Sequence, residues 1–203
     1  MLTIHNFPSG GRGQRIAWLC EELGLVYRMA AVDFPPSPDY LALNPLGTVP
    51  YLQDDETGVA MGESVAICIY LAERQGPTPW LPAVGHPDRA AVLEWLVFSE
   101  ATLGAHLNSL LADRYGAPEA EKGGWLARMA QGRLAKAVEL VDTRLGGRDY
   151  LVGETPTLAD IVVASSVNIW RRGLGGTAPE GLSDWLQRLE ARPAYQRARA
   201  AAG

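Results

Sequence analysis

Cysteine is scarce in this chain. The two in 203 residues, Cys20 and Cys68, fall inside apolar helical patterns and form no C-x-x-C pair. That spacing removes a disulfide framework and a redox dithiol, and reads as buried thiols in a reducing, cytoplasmic compartment. The three histidines, His5, His86 and His106, have no metal-ligand spacing with one another or with the cysteines, so no metal is expected. Positive charge is in deficit: 18 Lys and Arg against 23 Asp and Glu give a net charge of −5 and a pI near 5.2, which argues against a nucleic-acid footprint. Apolar runs are short. None approaches the roughly 18 residues that cross a bilayer, and M-L-T-I-H-N-F-P lacks the basic region and long apolar run of a signal peptide. No membrane partner is expected.

What is present is an ordinary globular balance, 47% hydrophobic and 20% charged, at a length for one generous domain or two small ones. Leu2 to Phe7 reads as a short strand. The loop Pro8 to Gly13 leads into a helix whose Ile16, Leu19, Cys20 and Leu23 share one face, closed by Gly24. Leu25 to Val32 suits a second strand, and F-P-P-S-P breaks it. Val49–Leu52 and Val59–Met61 read as a β-hairpin across Asp54-Asp55-Glu56-Thr57-Gly58. Gly62-Glu63-Ser64 then opens an apolar helix. The proline-rich run from Gly76 to Pro82 marks a boundary, giving a domain over 1–76, a linker over 77–86 and a purely helical region over 87–203. In that region Leu93 to Leu111 predicts a long helix bent near Gly104, followed by a helix from about Glu119 to Leu145. Thr157 and Asp160 form a T-x-x-D capping box ahead of a third, and Leu182 to Ala191 with the tail after Pro193 complete the bundle.

The stretch N-P-L-G-T-V-P over 44–50 combines turn chemistry at Pro45 and Gly47 with a proline at a strand start, where its missing N–H costs no ladder bond. A proline there leaves the backbone of Val49 for an outside partner. The helix opening at Glu63-Ser64 offers N–H groups and a positive dipole end to a carboxylate, and Glu63 offers a charge to an ammonium. Such a cleft suits a small amino-acid-like peptide.

These residues resemble the glutathione-binding signature of the glutathione transferase superfamily: N-P-x-G-x-V-P, then E-S at the next helix start. R-I-A-W-L-C-E-E-L-G-L is similar to the first helix of bacterial members, and G-x-x-x-T-x-A-D over 153–160 resembles a buried folding element of their second domain. The resemblance covers nearly the whole chain. It implies an α/β thioredoxin-like N-terminal domain plus an all-α C-terminal bundle, and glutathione as co-substrate. It implies that Val49, with Thr48 beside it, pairs with the cysteinyl backbone across a cis-Pro50, and that Glu63 and Ser64 hold the γ-glutamyl end. It also implies a homodimer in which Ile67, Tyr70 and Arg74 face the partner's helix around Leu93 to Phe98, and a small apolar electrophile against Phe7, His106, Leu110, Arg114, Tyr115 and Trp170.

The chemistry such enzymes perform needs a thiolate, because a free thiol near pKa 8.5 is only a few per cent ionised at neutral pH. Here the sequence departs from the family. Its usual serine positions hold Gly10, Gly11 and Gly13, no tyrosine precedes Tyr27, and Cys20 lies too deep in its helix. Three readings stay open: Ser9 as hydroxyl donor, the N–H groups of Gly11 to Gly13 with the charge of Arg12, or no efficient activation and a glutathione-binding or carrier protein. Gly10-Gly11-Arg12-Gly13 is not a dinucleotide loop, because Ile16 stands where a third glycine belongs.

Overall fold

Leu2–Asn6 forms strand β1, buried along almost its whole length, as a central strand must be. In the computed structural model, which describes residues 1–8, 10–74 and 76–201, it pairs in parallel with β2, Tyr27–Ala31. On its other side it runs antiparallel to β3, Tyr51–Asp54, and β3 pairs with β4, Val59–Met61. The sheet order is β2-β1-β3-β4. Helix α1, Gly13–Leu23, presents Ile16, Leu19 and Cys20 as its buried stripe. It ends at Gly24, whose left-handed φ of 66° favours glycine at this C-cap. Helix α3, Ser64–Arg74, packs on α1 through Ile67, Cys68 and Leu71. Strand, helix, strand, hairpin and helix make the expected thioredoxin-like arrangement.

One element in this region departs from the sequence reading. The segment that follows the F-P-P-S-P break holds a short helix, α2, Pro38–Leu43, which begins on the last proline of that break. Ser37 caps it, its hydroxyl accepting the Tyr40 N–H at 3.3 Å, and Pro38 occupies the first turn, where its missing N–H is harmless.

The chain divides into two units, Met1–Ala83 with Glu190–Gly203, and Val84–Leu189. The connector over 77–86 straddles the junction. The last helix, α9, Pro193–Ala201, was expected in the helical domain but is grouped with the first unit.

The second unit is helical. Helix α4, Pro87–Phe98, passes through a π-helical turn at Ser99–Gly104 into α5, Ala105–Tyr115; this widened turn stands where a bend was expected. Buried Ser99 donates through Oγ to the Leu96 carbonyl at 2.8 Å and accepts the Ser166 hydroxyl at 3.3 Å. Helix α6, Trp125–Leu145, starts later than expected. Glu119–Glu121 forms only a 3-10 turn, and Gly123 takes φ 67° with its N–H donated to Asp113. Helix α7, Leu158–Leu174, opens on the Thr157–Asp160 capping box. Asp160 is fully buried and accepts from the N–H groups of Leu151 and Thr157 and from Trp185 Nε1 of α8, Glu180–Glu190. Burial raises its pKa against the opposing pull of those donors.

Candidate functional site

The end of the sheet where β1 and β2 finish gathers most of the first unit's candidate residues. The register sets Tyr51 opposite His5, so Pro50 lies level with Asn6 at this end. The Val49–Pro50 bond is cis, as expected. The approach to it is pinned: the Thr48 carbonyl accepts from Tyr40 OH at 2.6 Å and from Asn44 Nδ2 at 2.7 Å. The carbonyl just before Val49 is therefore held by buried side chains on α2 and at its C-terminal end.

Beyond β4 the chain turns at Glu63 and enters α3. Glu63 has φ 63°, a left-handed conformation that a non-glycine residue adopts at a cost of order 1–3 kcal/mol. Its carbonyl accepts the Ile67 N–H at 2.9 Å, so it serves as the cap of the helix. Ser64 follows, 4% exposed. Arg15 of α1, fully buried, donates through a terminal guanidinium nitrogen to Ser64 Oγ at 3.2 Å. Ser64, the positive end of α3 and a buried guanidinium thus converge on one spot, a combination suited to a carboxylate. The role of Arg15 was missed from sequence, because its position reads only as the polar neighbour of an apolar stripe.

The loop after β1 is built differently from the expectation. Gly10 and Gly11 both take φ 84°, and Arg12 is the N-cap residue of α1. Ser9, the candidate hydroxyl, lies outside the described residues. The N–H of Gly13 does not face a ligand: it donates to Asn6 Oδ1 at 3.2 Å. The loop reading therefore keeps Gly11 and Arg12 and loses Gly13 as a donor. Phe7 packs edge-on against Phe34 at 6.1 Å between ring centres, and Phe34 is 85% exposed. Both cysteines are buried, and burial, with the charges of Cys68 and Glu21 adding, pushes the Cys20 thiol far up, away from reactivity.

Of the remaining candidates, His106, Leu110 and Arg114 lie four residues apart along α5 in the second unit. Tyr115 OH donates to the Gly173 carbonyl at the end of α7, 2.8 Å away. Trp170 lies against Gly176, where a Cβ would come within 2.0 Å of the indole, so part of its face is covered by backbone. Among the residues expected to face a partner subunit, Ile67 needs correction. Ile67 is fully buried within its own unit, Tyr70 OH donates to Asp54 Oδ2 at 2.7 Å, and Arg74 pairs with Asp54 at 3.1 Å and with Glu56. A separate cleft of about 500 Å³ in the second unit is lined by Trp95 and Phe98 of α4 and by Leu140, Thr143 and Arg144 of α6. No group of three or more His, Cys, Asp or Glu among the described residues is placed to hold a metal ion.

Two family models match this chain: the glutathione S-transferase N-terminal domain over residues 12–74 and the glutathione S-transferase C-terminal domain over residues 105–193. The chain belongs to the glutathione S-transferase superfamily. This family member is 28% identical over 203 residues to glutathione S-transferase GstB of Escherichia coli, covering 97% of each chain. It is 27% identical to the disulfide-bond oxidoreductase YfcG of the same organism, over 96% of this chain and 92% of that one. Among solved structures, a glutathione transferase from Methylococcus capsulatus superposes with a TM-score of 0.85 at 27% identity, covering 100% of this chain and 99% of that one.

Proposed function

We propose that this protein binds glutathione in the cleft of its first unit and uses the thiolate to attack a small apolar electrophile. The observation that carries the reading is the convergence of Arg15, Ser64 and the start of α3 behind Glu63. In that frame the γ-glutamyl carboxylate sits at Ser64 and the helix end, its ammonium meets Glu63, and the cysteinyl backbone pairs with Val49 beside Thr48. The sulfur then lies against the loop that carries Gly11 and Arg12. Calorimetry with glutathione, followed by a conjugation assay with a generic aryl halide, tests the reading. Binding with slow but measurable turnover is expected; absence of glutathione binding would sink it.

A second reading shares the cleft and changes the reaction. The glutathione thiolate attacks a disulfide instead, forming a mixed disulfide and releasing the other sulfur as a thiolate. The name of YfcG supports it, as does the lack of any tyrosine before Tyr27. Disulfide turnover well above aryl halide turnover would favour this reaction. Binding with no turnover of either kind and an unshifted thiol pKa would leave a carrier. Assembly as a homodimer in the cytoplasm belongs to the same proposal, and Leu93 and Val97, 37% and 64% exposed on α4, are the apolar residues offered to a partner. Light scattering of wild type and Val97→Glu tests the assembly. Among the described residues no helix is long and apolar enough to cross a membrane.

A further inference from the structure

One side chain organises the loop after β1. Asn6, the last residue of β1, is 2% exposed. Its Nδ2 donates to the Phe7 carbonyl at 3.1 Å and to the Gly10 carbonyl at 2.7 Å, while Oδ1 accepts the Gly13 N–H at 3.2 Å. Both donors and one acceptor site of the amide are thereby used on loop backbone. The glycines close around this amide. A Cβ on Gly13 would lie 2.4 Å from Asn6 Cγ, and one on Gly11 would lie 3.0 Å from Oδ1. Gly13 has no left-handed backbone to explain it; its hydrogen side chain leaves room for the asparagine.

We propose that Asn6 is a positioning residue for the glutathione thiolate. It does not touch the sulfur, because both its donors are spent on the loop. Its amide draws the negative ends of two peptide dipoles, at Phe7 and Gly10, onto itself. A thiolate lying against this loop then meets less negative potential, and the start of α1 keeps its orientation toward it. The inference rests on the reading of the cleft as a glutathione site.

Asn6→Asp is the decisive variant. It is nearly isosteric and keeps an acceptor for the Gly13 N–H, but it loses both donors and adds a carboxylate inside the loop. Titration of bound glutathione by thiolate ultraviolet absorbance is expected to show the thiol pKa raised by about one unit, a roughly tenfold smaller thiolate fraction at neutral pH. The affinity for S-methylglutathione, which has no ionisable thiol, should be unchanged. Gly13→Ala supplies a second route if the aspartate variant does not fold, because its Cβ displaces Asn6 without adding charge; its thiol pKa should also rise. A wild-type thiol pKa in both variants overturns the proposal. So does a parallel loss of S-methylglutathione affinity, which would make Asn6 a residue of cleft structure alone. A wild-type protein that fails to bind S-methylglutathione overturns the glutathione reading itself, whereas one that binds it but leaves the thiol as in free glutathione overturns only the role of Asn6.

Discussion

Ser64 and Arg15, far apart in sequence, meet through one hydrogen bond at the point proposed to receive a carboxylate. The Ser64 hydroxyl sits at the start of α3, where the first N–H groups of a helix have no intrahelical acceptor. Arg15 reaches it from the buried side of α1. Ser64→Ala should weaken glutathione binding by about 1–2 kcal/mol, the scale of a hydrogen bond to a charged group, and calorimetry at constant ionic strength reads this directly. Replacing Arg15 by leucine should weaken binding at least as much, and the double variant should lose less than the sum, because the two act on one carboxylate. Additive losses would separate them. The helix start at Glu63-Ser64 was legible in the sequence because helix-start chemistry is local. Arg15 was not, because its partner lies 49 residues on, and Asn6 was not, because its amide bonds to irregular loop backbone that carries no periodic pattern.

At the scale of elements, the hairpin of β3 and β4 is locked to α3 by Asp54. Its carboxylate is 1% exposed and pairs with Arg74 at 3.1 Å, accepts from Tyr70 OH at 2.7 Å, and receives the Glu56 N–H at 3.1 Å. Burial pushes this carboxyl up, but the hydrogen bonds from Tyr70, Glu56 and Thr57, with the Arg74 charge, outweigh it and hold the pKa below the ordinary carboxylate range. A depressed folded-state pKa contributes stability that is complete above the unfolded value of about 3.9 and is lost as pH falls through the lower folded value. Asp54→Asn should therefore be less stable than wild type at neutral pH, and thermal melts should show the gap closing below about pH 4. A gap independent of pH would assign the cost to packing. In the second unit, Asp160→Ala strips the Leu151, Thr157 and Trp185 donors of their acceptor and should cost about 3 kcal/mol or more in denaturant unfolding. The capping box, the hairpin and the glycine stop of α1 could all be read from sequence, since each is set within a few residues. Helix α2 was hidden by its prolines, although Ser37-Pro38 is itself a helix-start signal. The π turn at Ser99–Gly104 has no comparable local mark, since its hydrogen bonds include one from Ser166, 67 residues on.

At the scale of the whole chain, periodicity separated a mixed region from a helical one but could not tell where the last helix docks. That docking is written in the pair Glu21-Glu22 at the end of α1. Arg192 grips Glu22 with two bonds of 2.6 and 2.8 Å and lies 5.4 Å over the Trp80 ring. Arg197 pairs with Glu21 at 2.6 Å, and Tyr195 meets Trp18 edge-on at 4.9 Å. Glu22 is only 8% exposed in its side chain, so removing its partner strands a carboxylate in a poorly solvated place. Arg192→Ala should destabilise the first unit by about 3 kcal/mol. Hydrogen exchange of the α1 amides should then quicken by roughly a hundredfold where they open with that unit. Glu22→Gln in the same background should add little, because the buried charge is gone with its partner. The two Glu–Arg pairs make α9 a structural part of the first unit, packed against α1. Unchanged α1 exchange in Arg192→Ala would instead make α9 a passive tail, and the site would owe nothing to the end of the chain.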